Sequence, residues 1–125
     1  MSKPLGHVAS ANAQVVGLPD ADESTSVGDA VTIDDGDLEP TGDTDDLTGI
    51  RARGLEAGAD YSVVVSGVVI ANVATGVSAG DDLDTSATAG QLAAESGGPV
   101  HALSDEGGTW KGADLPDNAA AVVVR

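Results

Sequence analysis

The side chains in this sequence that could do chemistry are mostly carboxylates, and two runs of them, Asp34-Asp35-Gly36-Asp37 and Asp43-Thr44-Asp45-Asp46, have the look of calcium loops. Such a loop needs a Gly at its sixth position and a bidentate Glu at its twelfth. Counted from Asp43 those positions hold Thr48 and Gly54, and from Asp34 they hold Glu39 and Asp45. Both runs fail, and no dedicated metal site is predicted. General acid–base work needs a pair of titratable groups isolated in a dry pocket, and no spacing here isolates one. His7 falls near the start of the chain, and His101, next to Val100 in an apolar run, points to the face opposite Val100, as a surface or interface residue does. No serine stands in a Gly-x-Ser-x-Gly elbow, and Ser66 before Gly67 reads as a hairpin residue. Gly97-Gly98-Pro99 and Gly107-Gly108-Thr109 have neither the following helix nor the lysine of a phosphate cradle, so both read as turns. Lys111 beside Trp110 does not read as the hairpin-tip lysine that carrier domains modify. No catalytic residue, cofactor or metal ligand is assigned.

Charge narrows the choice of partners. The chain of 125 residues carries 21 Asp plus Glu against 5 Lys plus Arg, a formal charge of −16. A surface of this sign repels phosphate backbones and anionic headgroups, which excludes nucleic-acid and membrane-surface binding. There is no cysteine, hence no disulfide, thiolate metal site or thiol nucleophile. No apolar run reaches the roughly 20 residues of a membrane helix, and the first residues lack the apolar region of a signal peptide.

The core that must position any site is lean. Val, Ile and Leu number 16, 3 and 9, Phe is absent, and Tyr61 and Trp110 are the only aromatics. So small and aliphatic a core offsets chain entropy only modestly, which points to a subunit of something larger. Self-repulsion at −16 is relieved when molar salt shortens the Debye length to about 3 Å. Few lysines and an excess of Asp over Glu, spread through the apolar segments, fit a protein of salt-in haloarchaea or their viruses.

Apolar runs of three to six residues, rich in Val and separated by Gly-Asp, Asp-Gly and Gly-Gly pairs, predict an all-β fold with at most one helical turn near residues 87–94. Asp35-Gly36 is the turn of a tight hairpin, and after Tyr61-Ser62-Val63-Val64-Val65 the chain is expected to reverse at Ser66-Gly67. Residues 1–25 lack periodicity apart from Ala13-Gln14-Val15-Val16 and read as an extended N-terminal arm with one short strand; residues 26–125 form the β domain. Within that domain the sequence half-repeats. Ser26-Val27-Gly28-Asp29-Ala30-Val31 matches Ser78-Ala79-Gly80-Asp81-Asp82-Leu83, Gly36-Asp37-Leu38 matches Gly90-Gln91-Leu92, Ile50-Arg51-Ala52 matches Val100-His101-Ala102, and Val63-Val64-Val65 matches Val122-Val123-Val124. Two similar strand sets packed together would close a small β-barrel or β-sandwich. Trp110, in a glycine-rich stretch, covers the end of its own barrel or anchors an interface, and in an oligomer it can do both. The candidate interface residues are Val8, Val15, Val16 and Trp110.

The order Gly28-Asp29-x-Val31, Asp35-Gly36, Gly49-Ile50, Ala57-Gly58, Gly67-Val68-Val69, Gly80-Asp81-x-Leu83, Val100-x-Ala102-Leu103 and Gly107-Gly108 before a last valine strand resembles the capsid cement, or head decoration, proteins of tailed viruses. The resemblance spans roughly residues 26–125; the acidic stretch at Asp43–Asp46 and the N-terminal arm depart from it. It implies a non-enzymatic virion protein on the outer capsid surface. Such a protein binds the major capsid protein, commonly as a homotrimer at threefold positions, and stabilises the shell. The alternative is a cellular haloarchaeal β-barrel binding or carrier-like module, which modification of Lys111 would favour. A third class, an acid-adapted enzyme fragment, would require turnover dependent on His101.

Overall fold

A computed structural model describes residues 4–8, 13–20, 23–43, 45–53 and 60–124. The protein is all-β. The strands, in chain order, are β1 (Gln14–Pro19), β2 (Ala30–Asp34), β3 (Asp37–Pro40), β4 (Gly49–Arg51), β5 (Asp60–Asn72), β6 (Asp82–Thr85), β7 (Leu92–Ala94), β8 (Val100–Ala102), β9 (Thr109–Trp110), β10 (Ala113–Asp114) and β11 (Ala119–Val124). Nine of them form one curled antiparallel sheet in the order β3-β2-β4-β5-β11-β8-β6-β7, with β1 added on β5, and β9 and β10 form a separate hairpin. Residues 87–91 form no helical turn; they are a loop running into β7.

The two strand sets read from the sequence are present, and they match in their Ser-x-Gly-Asp turns and in the strand pairings that follow. In each, a Ser-x-Gly-Asp turn is closed by the Asp amide on the Ser carbonyl, at 3.1 Å for Asp29 and 3.0 Å for Asp81. Each Asp carboxylate accepts the Ser amide at 2.9 Å. The turn glycine then donates to the strand alongside, Gly28 to Arg51 and Gly80 to Ala102, and Arg51 and Ala102 donate back to Asp29 and Asp81. Ile33 pairs with Leu38 as Thr85 pairs with Leu92. Ala30 pairs with Ile50 as Asp82 pairs with His101, and Arg51 with Val63 as Ala102 with Val122. This register sets His101, not Val100, opposite Ile50 in the repeat, one residue away from the alignment by sequence. The valine triplets match as expected.

The duplication also takes in part of what the sequence reads as an arm. Val16 lies against Val63 and Leu18 against Tyr61, as Val69 lies against Val122 and Ala71 against Ala120. β1 is therefore the counterpart of the second half of β5. Each unit is a five-stranded set: β1 to β4 with the first half of β5, and the second half of β5 with β6, β7, β8 and β11. β5 is shared, its first half ending one unit and its second half opening the next. The expected reversal at Ser66-Gly67 does not occur, because β5 runs straight through for 13 residues. Gly67 has a different task. The chain entering β1 crosses β5 there, and a Cβ on Gly67, at φ 123°, would lie 2.7 Å from Ala13. Gly6 and His7 bond to Ile70, and Val8 bridges to Val69, so the segment before the crossing is also held on β5.

Alternation along the strands then fills two interiors. Val69, Ala71, Leu83, Leu92, Val100, Ala102, Ala120, Val122 and Val124 fill the second unit, joined by Ala30, Ile50 and Val64 from the outer face of the first. Val31, Leu38 and Val63, with Val16, Leu18, Tyr61 and Val65, line the first. A third cluster of Ile70, Leu115, Ala119 and Ala121 lies under Leu5, Leu103 and Trp110.

Candidate functional site

The most built polar arrangement is inside the first unit. Arg51 continues the apolar strand Gly49-Ile50-Arg51-Ala52, and alternation turns its side chain inward, where it is only 7% exposed. Its guanidinium lies 4.0 Å from the Tyr61 ring centroid. Nη1 donates to the Thr25 carbonyl at 3.0 Å and to Thr25 Oγ1 at 2.8 Å. Thr25 Oγ1 in turn donates to Asp20 Oδ2, which also takes the Thr25 amide, while Asp20 Oδ1 takes the Ser24 amide. Burial works against the Asp20 charge, but the hydrogen bonds from Thr25 and Ser24 outweigh it and hold this carboxyl below its ordinary value. The arrangement satisfies a cation inside a barrel, and its groups are engaged with one another, so its role is to build the fold.

On the outer face of the second unit, His101 Nδ1 lies 2.8 Å from Asp82 Oδ1, and Asp82 Oδ2 accepts the Gly97 amide. Both side chains are 36% exposed. Asp82 orients the ring, but no described residue is hydrogen-bonded to its Nε2.

Between the units, Asp43, Asp45, Asp46, Leu47, Asp84, Thr85 and Pro99 line an open groove of about 490 Å³. Thr85 Oγ1 ties its two walls together by donating toward the carbonyls of Asp43 and Asp45. A second groove, of about 400 Å³, is lined by Thr32, Ile33, Asp34, Glu39, Pro40 and Asp45. Both are acidic, and among the described residues no three His, Cys, Asp or Glu converge as metal ligands.

The residues singled out from the sequence are not brought together. Val8 is half-buried on Val69, and Val16 is half-buried against the first unit's core. Val15, on the same strand, points outward and is 45% exposed. Trp110 is half-buried over the Ile70–Leu115 cluster of its own chain. Its Nε1 is buried without a hydrogen-bond partner among the described residues. The stretch around it is not a plain loop: Trp110 pairs with Ala113 across a two-residue turn. Lys111 and Gly112 both adopt positive φ there, 49° and 79°. Lys111 therefore does occupy a hairpin tip, exposed, with Nζ 5.5 Å from the Trp110 centroid, a setting the sequence spacing does not reveal.

Sequence reasoning passes over Arg51 and Asp20. The available signal is that Arg51, one of only five basic residues, interrupts an apolar strand. No family model and no curated protein sequence matches the chain.

Proposed function

We propose that this chain is a capsid decoration protein of a tailed virus of halophilic archaea. It binds the outer face of an icosahedral shell through the major capsid protein, as a homotrimer at threefold positions, and stiffens the shell without catalysis. The observation that carries this reading is the ordered series of Gly-Asp and Asp-Gly turns between valine strands. It is the series on which the sequence resembles head decoration proteins, and in this chain it builds two like β units end to end. The acidity supports a working environment of molar salt, where a charge of −16 is screened. The test is to add the protein, in 3 M salt, to DNA-filled heads of a tailed haloarchaeal virus stripped of their decoration. Saturable density at threefold positions and heads that survive higher temperature are expected; absence of binding overturns the proposal.

One observation favours a second reading, a cellular carrier-like module. Lys111 stands exposed at the tip of a tight hairpin, as a modified lysine does. Intact-mass measurement of the protein from its native cells decides this: an adduct on Lys111 supports the carrier reading, and an unmodified chain removes it.

A further inference from the structure

The contact between the two units is heterologous, because each contributes a different surface. The second unit offers the loop before β7. Gly90 is buried with its carbonyl accepting the Ala30 amide at 2.8 Å and its amide on the Thr41 carbonyl at 3.1 Å. It carries no Cβ, and one built there would lie 2.8 Å from the Asp29 carboxyl carbon. Gln91 Nε2 reaches Asn72, which reaches Asp29. Thr85, 5% exposed, completes the contact against the carbonyls of Asp43 and Asp45.

Because the units match in register, each of these surfaces has a counterpart elsewhere on the chain. The counterpart of Thr85 is Ile33, which at 39% exposed is one of only two large apolar side chains left open among the described residues. The counterpart of Gly90 is Gly36, with nothing within 4 Å of the Cβ it lacks. On the receiving side, the Ser78–Asp81 turn is open, with nothing within 4 Å of the Cβ that Gly80 lacks. Ala30 and Thr41 are matched by Asp82 and Glu95, which share the same backbone bond.

We infer that a second copy of this chain docks its Ile33 and Asp34–Asp37 turn on the Ser78–Asp81 turn and the Glu95–Gly98 loop of the first, repeating between chains the contact made within one. The inference supplies the contact for the homo-oligomer proposed above and stands without the capsid. It also gives the acidity a specific task. The contact within the chain joins the uncharged stretch Ser86–Gln91 to Ala30 and Thr41, but the contact between chains sets Asp34, Asp35 and Asp37 against Asp81, Asp82 and Glu95. These carboxylates hold copies apart when the Debye length is about 10 Å, near 0.1 M salt, and release them when it falls to about 3 Å near 1 M. A repeated heterologous contact closes into a ring or runs on as a filament; a ring of three chains would present six like units.

Light scattering in 3 M salt tests this. The unaltered chain is expected at a multiple of its 12.2 kDa, three-fold if the ring closes at three. Ile33→Asp is expected at the single-chain mass with an unchanged β spectrum and melt. The triple variant Asp34→Asn, Asp35→Asn, Asp37→Asn is expected to associate at several-fold lower salt. A single-chain mass for the unaltered protein in 3 M salt overturns the inference. So does association that survives Ile33→Asp, or a triple variant with an unmoved salt dependence. A single chain in 3 M salt that still decorates stripped heads overturns this contact and leaves the proposed function standing; an Ile33-dependent oligomer that ignores the heads does the reverse.

Discussion

Where the second unit fills its barrel with Ala102 and Ala120, the first places Arg51 and Tyr61 at the same register positions, stacked on one another and tied through Thr25 to Asp20. One strand plan thus encloses an aliphatic core in one half and a polar one in the other. Register is set by elements the halves have in common, the Ser-x-Gly-Asp turn and the valine strand, and the barrel contents are free to differ as long as each is internally satisfied. A buried cation is tolerated only with its partners in place; without them it carries its full desolvation cost.

The sharpest way to break this comparison is to exchange the contents. Ala102→Arg puts a guanidinium among Leu83, Leu92, Val100 and Val122 with no counterpart of Thr25 or Asp20 nearby, and is expected to destabilise the protein by about 3–5 kcal/mol. Arg51→Ala leaves the Thr25 carbonyl and hydroxyl without the Arg51 donor and the Tyr61 face uncovered, for a loss of about 2–4 kcal/mol. Urea denaturation in molar salt measures both. Equal, small losses would show that barrel contents matter less than the partners argued here. Tyr61 and Trp110, the only aromatics, report on the first and second unit separately.

The duplication shows what was legible in the sequence. Ser26–Val31 against Ser78–Leu83 and the two valine triplets were readable because turns and β-branched runs act locally. β1 was not read as part of a unit because Val15-Val16-Gly17-Leu18-Pro19 and Val68-Val69-Ile70-Ala71-Asn72 share only their first two residues, and their equivalence lies in which strand each one pairs. Gly67 misled for a related reason. A glycine between two valine runs looks the same whether it turns the chain or lets another segment cross, and only the tertiary neighbour Ala13 decides. Arg51 is not legible because its partner Thr25 lies 26 positions earlier and meets it only once the barrel has formed, with Asp20 holding Thr25 from behind.

The next largest effect follows from the polar core. The Asp20 carboxyl is held below its ordinary 3.8 by bonds that exist only in the fold. Its contribution is therefore complete above about that pH and is lost as pH falls through the lowered value. Acid titration in molar salt is expected to loosen the first unit, so that the Tyr61 signal changes before that of Trp110. In Asp20→Asn the early Tyr61 change disappears. Simultaneous loss of both signals in the unaltered protein would mean that the two cores melt as one.

Asp29 sharpens the comparison at its weakest point and with the opposite sign. It makes the same turn as Asp81, but it is pressed against Gly90 at the unit boundary. Burial pushes its carboxyl up, against the opposing pull of the Ser26 and Asn72 hydrogen bonds and the Arg51 charge. A raised carboxyl binds a proton more tightly in the fold than out of it, so its ionisation costs stability as pH rises from 3.8 through the raised value, and that cost is present at neutral pH. Asp29→Asn keeps an oxygen for the Ser26 amide and removes the charge, so at pH 7 it is expected to melt slightly higher than the unaltered chain, with the gain fading as pH falls through the raised value and gone below about 3.8. Asp81→Asn, at the open turn, is expected to stay within about 0.5 kcal/mol of the parent. Thermal melts of the two variants from pH 3 to pH 7 measure the difference. If Asp29→Asn lowers stability at pH 7, the turn needs the full carboxylate even at the boundary, and the crowding by Gly90 does not govern this site.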